Sequence, residues 1–189
     1  MRQLKSKAHM TAFFAGVLRL GVQWKGMVIS MKIAVFPGSF DPVTLGHIDI
    51  LHRAAAIFDK VYICAMANGE KKSGMFTAEE RLEMLRGSVT DLPNVEADIW
   101  NGLLTDYAKQ KDAKYLVKGV RNGSDFDSEY SLALINRGLD GELETVLLCA
   151  APQYMHFSST MAREMIKYHQ DLKKYVPAYA ADYMKKRGY

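Results

Sequence analysis

The sequence predicts an α/β fold, a doubly wound, five-stranded parallel sheet with helices on both faces, in a single domain. From residue 31 onward, short runs rich in Val, Ile and Tyr alternate with longer segments of helical period, the order expected of a parallel sheet covered by helices. The length, 189 residues, suits one domain with a sizeable core. No internal repeat, low-complexity tract or long linker interrupts the alternation.

The first strand is KIAVF, 32–36, closed by the Pro and Gly of PGSFDP, which punctuate structure strongly. GHIDILHRAAAIF, 46–58, follows as a helix with Ile48, Leu51, Ala55 and Ile57 or Phe58 tending to one face. KVYICAMA, 60–67, is the second strand. TAEERLEMLRGSV opens a helix at Thr77, because Thr77 and Glu80 have the spacing of a capping box. Strands VEADI (95–99), KYLVK (114–118) and ETVLLCA (144–150) alternate with helices LLTDYAKQK (103–111) and DFDSEYSLALINRG (125–138). Two helices close the chain, STMAREMIKYH (159–169) and PAYAADYMKKRG (177–188). Pro177 suits a first helical turn, and the basic residues near both C-terminal ends suit the helix dipole. A ligand of such a sheet belongs at the carboxyl ends of its strands.

With 49% hydrophobic and 24% charged residues and no uninterrupted apolar run of the roughly 18 needed to span a bilayer, the chain reads as globular, with no membrane partner. The net charge of +4 is local. Residues 1–30 hold Arg2, Lys5, Lys7, Arg19 and Lys25 without an acid, leaving 20 bases against 21 acids, so the body is no generic polyanion binder and no nucleic-acid partner is expected. Cys64 and Cys149 lie inside apolar runs and read as reduced core residues of a cytoplasmic protein. In the first thirty residues Arg19 and Gln23 interrupt the clean apolar core that a secretory signal requires. An organellar transit peptide or an interfacial helix fits the lack of acids. The favoured expectation is an N-terminal extension, disordered or upstream of the true start, because Met31 begins a self-sufficient strand in MKIAVFPGSF; the domain then spans 31–189.

PGSFDPVTLGH runs from strand through glycine turn to helix start. Such a turn offers backbone N–H groups, and the helix N-terminus carries partial positive charge, so a phosphate suits it. It is neither G-x-G-x-x-G nor G-x-x-x-x-G-K-[ST], so neither the dinucleotide fingerprint nor the P-loop applies. FSSTMARE, 157–164, supplies a second helix start, where Ser158, Ser159 and Thr160 suit further phosphates or serve as plain caps. His47 taken alone is likewise open to a capping role.

Thr44, Leu45, Gly46 and His47 after PGSFDP, with the SST segment about 110 residues downstream, resemble the T-x-G-H and SST signature of the nucleotidylyltransferases. With NGEKKSGMFTAEER and KGVRNGSDFDSEY between them, residues 31–189 resemble the bacterial phosphopantetheine adenylyltransferases, whose fold is Rossmann-like. The resemblance implies transfer of the adenylyl group of ATP to 4′-phosphopantetheine, giving dephospho-coenzyme A and pyrophosphate. It also implies Mg2+ arriving with ATP, a homohexamer, and coenzyme A as a feedback inhibitor. By the same resemblance His47, Lys71 and Arg121 are catalytic. The ATP site comprises Ser39, Phe40, His47, Gly119, Val120, Arg121, Glu129 and the segment Tyr154, Met155, His156, Phe157, Ser158, Ser159 and Thr160. Ser39, Lys71, Leu104 and Lys118 bind the acceptor.

Several positions depart from the family pattern. Ser39 stands for a threonine and keeps its hydroxyl, Lys118 for a more frequent arginine whose bidentate fork it lacks, and Ser128 for a tyrosine. One extra residue in KKSGMF leaves Lys71 and Lys72 both open. No protein metal cluster is expected, since His47 and His52 are five apart and no HExxH occurs. The alternatives are a related nucleotidylyltransferase with another phosphate acceptor and a non-catalytic nucleotide-sensing module.

Overall fold

Alternate side chains of the central strand β1 (Ile33–Gly38) enter opposite cores: Ala34 and Phe36 pack on one face of the sheet and Val35 on the other, as the period of two requires. In this computed structural model residues 30–67 and 74–189 are described; the expectations for residues 1–29 and for Lys71 and Lys72 lie outside the described residues. β2 (Lys60–Met66), β3 (Val95–Trp100), β4 (Tyr115–Val120) and β5 (Glu144–Cys149) complete a sheet of order β3-β2-β1-β4-β5. Every pairing is parallel. The helices are α1 (Leu45–Ile57), α2 (Ala78–Ser88), α3 (Leu104–Gln110), α4 (Gly123–Leu139), α5 (Ser159–Lys167) and α6 (Ala178–Lys186). Residues Met31–Tyr189 group as one compact unit. Among the described residues no helix is long and apolar enough to cross a membrane.

The structure departs from the sequence reading in several places. Cys64 is buried as expected, but Cys149, read as a core residue, is exposed at the end of β5. β1 runs on through Pro37 and Gly38, which still register with Cys64 and Ala65 of β2. Its pairing with β4 covers only Ala34–Tyr115 and Val35–Leu116, so beyond Val35 it is an edge on that side, where proline is tolerated. The buried residues of α1 are Ile50, Leu51 and Ala54, followed by the buried cap Phe58, while Ile57 is exposed. Of the face expected, Leu51 and Phe58 are buried and Ile48 packs against the core, and Ile50 and Ala54 widen it along the neighbouring row. α4 starts two residues early, because Asn122 accepts from the Asp125 N–H at 2.9 Å, a helix cap. No residue of α4 is buried in the chain.

Candidate active site

β1 and β4 continue to Gly38 and Val120, yet their ladder ends at Val35–Leu116. The strands part there and open a cleft of about 350 Å³ at the carboxyl ends, the switch point at which open α/β sheets bind ligands. Eleven sequence-predicted residues line it: Ser39, Phe40 and His47 from the first turn and helix, Lys118, Gly119 and Arg121 from β4 and its end, Glu129 from α4, and Tyr154, Phe157, Ser158 and Ser159. The other five described candidates do not line it. Val120 is buried, and Met155, His156 and Thr160 are exposed. Leu104 is half-buried on the other side of the sheet, among the neighbours of Val35, Cys64 and Tyr107. A contiguous stretch of sequence cannot all face one cavity, because the short 3-10 turn Pro152–Tyr154 and the alternation of β4 turn neighbouring residues apart.

His47 is placed by the helix cap. Thr44 precedes α1, and its backbone N–H donates to His47 Nδ1 at 3.0 Å, while Thr44 Oγ1 accepts the His47 N–H at 3.4 Å. With Nδ1 held as an acceptor, the proton of the neutral ring sits on Nε2. The phenyl rings of Phe36 and Phe40 meet the imidazole edge to face. Burial, then the Arg121 and Lys118 cations, push its pKa down from 6.5 to about 4. The same interaction completes the capping box and leaves a neutral N–H at Nε2.

The depressed pKa fixes a sign. An unfolded chain binds a proton on His47 below pH 6.5 that the native chain refuses until about 4. Stability from this group is therefore intact above 6.5 and falls as pH drops through that window, with a slope of up to about 1.4 kcal/mol per pH unit. Urea unfolding at pH 7, 6 and 5 should show a steeper loss for the wild type than for His47→Asn.

The cations are held by α4. Lys118 Nζ lies 3.1 Å from Glu129 Oε1, and the other carboxylate oxygen of Glu129 is buried without a hydrogen-bond partner. Arg121 donates to Asp125 from Nε at 2.7 Å and Nη2 at 3.1 Å, and from Nη1 to the Phe157 carbonyl at 3.4 Å. Their mutual hydrogen bond is the leading cause that raises the Arg121 pKa and lowers that of Asp125. Sequence reading missed Asp125; its signal was the four-residue spacing to Arg121.

Each hydroxyl of the SST segment has a structural partner. Ser158 accepts the Met161 N–H at 3.0 Å, Ser159 donates to the Pro42 carbonyl at 2.8 Å, and Thr160 accepts from Arg163 at 3.0 Å. Phe40 adopts a left-handed φ of 46°, rare for a bulky residue and a form of strain that gathers at functional turns. A Cβ on Gly38 would stand 2.9 Å from the Phe40 ring, and one on Gly119 would stand 3.0 Å from Ile50 of α1. Both glycines thus serve close packing around the cleft.

The cytidylyltransferase-like family model matches residues 35–165. The chain is 41% identical over 152 residues to the phosphopantetheine adenylyltransferase of Caldanaerobacter subterraneus subsp. tengcongensis, covering 80% of this chain and 94% of that relative. It is 43% identical over 158 residues to the phosphopantetheine adenylyltransferase of Alkaliphilus metalliredigens, covering 84% and 100%. The chain belongs to the phosphopantetheine adenylyltransferase family. Its fold matches the solved Plasmodium falciparum nicotinic acid mononucleotide adenylyltransferase complexed with NaAD, with a TM-score of 0.62 at 16% identity over 84% of this chain and 97% of that one.

Proposed function

We propose that the chain transfers the adenylyl group of ATP to 4′-phosphopantetheine, releasing pyrophosphate and giving dephospho-coenzyme A. The observation that carries this reading is the His47 Nδ1 contact with Thr44, which leaves a neutral Nε2–H to donate to the α-phosphate as negative charge builds there. The acceptor phosphate is already an anionic nucleophile, so the oxygen–phosphorus bond it forms replaces the α–β phosphoanhydride bond in one in-line displacement, without a covalent enzyme intermediate. Arg121 binds the ATP phosphates, and Lys118 with Ser39 orients the acceptor. For Lys71 and for Leu104, on the pantetheine arm, the support is the sequence resemblance.

Among the described residues no group of three or more His, Cys, Asp or Glu could hold a metal ion, and the cleft carboxylates Asp125 and Glu129 are engaged by Arg121 and Lys118. This donor set fits a Mg2+ ion carried by the triphosphate, where it would share the charge of the leaving group. Coenzyme A, which repeats the adenylate and pantetheine parts of the product, is the proposed feedback inhibitor, and the cytoplasm the proposed compartment. The test is pyrophosphate release from ATP with each of several acceptor phosphates. Release is expected with 4′-phosphopantetheine; release with nicotinate mononucleotide in its place would contradict the reading.

The proposed assembly is a homohexamer, with α4 in an interface between copies. Support comes from its exposed Phe126, Tyr130, Leu132, Leu134, Ile135 and Leu139, more apolar surface on one helix than monomers usually leave in water. Ile135→Asp should lower the mass measured by light scattering while the circular dichroism spectrum is retained. A monomeric wild type, or an unchanged mass in the variant, would contradict that interface.

A further inference from the structure

The turn between β1 and α1 is held from outside by two guanidinium groups that the function has not so far used, together with Ser159 of the SST segment. Arg81 of α2 donates from Nη1 to the Ser39 carbonyl at 2.7 Å and to the Met66 carbonyl, at the end of β2, at 3.2 Å. Arg163 of α5 donates from Nη1 to the Asp41 carbonyl at 2.6 Å. Ser159 takes the Pro42 carbonyl. Three of the four successive carbonyls from Ser39 to Pro42 therefore end on donors from α2 and α5. The Asp41 carboxylate, itself buried, accepts the Met75 and Phe76 N–H groups at 3.0 and 2.9 Å and lies 3.5 Å from Arg163. Neither guanidinium lines the cleft.

Each peptide unit is planar, so a fixed carbonyl fixes the plane to which it belongs. Thr44, whose N–H orients the His47 ring, stands two residues beyond Pro42 at the end of this braced turn. We propose that Arg81 and Arg163 are positioning residues: they touch no substrate, and by gripping the carbonyls of Ser39 and Asp41 they set the turn and, through Thr44, the direction of the His47 Nε2–H. The kinetic consequence rests on the adenylyl-transfer reading; the orientation of the ring does not.

The test is nitrogen NMR of the 15N-labelled imidazole in the free protein at pH 7, together with steady-state kinetics. In the wild type His47 should show an unprotonated Nδ1 and a protonated Nε2. Arg163→Met and Arg81→Met should each give a mixture of tautomers and a kcat lower by about tenfold to a hundredfold, the scale of a small misplacement of a reacting group. The loss should fall on kcat more than on the KM for ATP. Arg163→Lys, which keeps a donor for the Asp41 carbonyl, should recover most of both signals. A wild-type tautomer in both methionine variants would overturn the proposal, whether or not kcat falls. If Arg163→Met does not fold, Arg163→Lys and Arg163→Gln carry the same comparison. A wild type that transfers no adenylate but loses its tautomer in these variants would refute the proposed function and leave the positioning role standing.

Discussion

His47→Ala should lower turnover by about a hundredfold to a thousandfold, the effect of removing one preorganised donor worth roughly 2.7 to 4 kcal/mol in the transition state. Alanine also deletes the acceptor for the Thr44 N–H, while Thr44 Oγ1 still accepts the backbone N–H at position 47, so part of any change would reflect one lost hydrogen bond of about 1 kcal/mol. His47→Asn separates the two. Its side-chain oxygen can take the place of Nδ1 and keep the cap, while nothing replaces Nε2. It should therefore melt close to the wild type and still lose activity on the scale of the alanine variant. His47→Gln, which offers an N–H nearer the Nε2 position, should retain more activity than asparagine and cap less well. Because the ring stays neutral down to about pH 4, titration of His47 should not limit the rate between pH 5 and 8.

Arg121→Ala should lower kcat/KM for ATP on a comparable scale. The substitution removes the cation and leaves Asp125, now without its partner from Nε and Nη2, as a bare carboxylate facing an incoming triphosphate. The pair is partly exposed, so its own loss costs no more than about 1 kcal/mol, and the fall in kcat/KM reflects the lost contact with the triphosphate. Arg121→Ala with Asp125→Asn should recover part of that loss, since it removes the repulsion without restoring the grip. Arg121→Lys keeps the charge but not the fork that binds Asp125 through two nitrogens, so it should fall between the wild type and alanine. Initial rates over a range of ATP concentrations check all three.

Element order and type were legible in the sequence because each strand and helix carries its own period, and caps such as Thr77 with Glu80 are local. The turn before α1 and the start of α5 were legible as helix starts that follow strands, whereas Lys118, Gly119 and Arg121, at the end of β4, were placed at the cleft by the family resemblance. The braces were not. Arg163 meets Asp41 across 122 positions and Arg81 meets Ser39 across 42, and no local pattern announces contacts that only the packing of α2 and α5 against the turn creates. Asp41 reads as an ordinary turn residue, yet it is buried and holds two backbone N–H groups. The face of α1 was legible at Leu51 and Phe58 but not at Ile50 and Ala54, and the exposed apolar residues of α4 show that apolar period alone does not say which side of a helix is buried within the chain.

The most direct measurement is a crystal structure with an ATP analogue whose α–β bridge cannot be cleaved. The nucleotide should lie between the ends of β1 and β4, with His47 Nε2 within hydrogen-bond distance of an α-phosphate oxygen and Arg121 on the phosphates beyond it. A nucleotide bound elsewhere, or an imidazole whose Nε2 points away from the α-phosphate, would contradict the central claim.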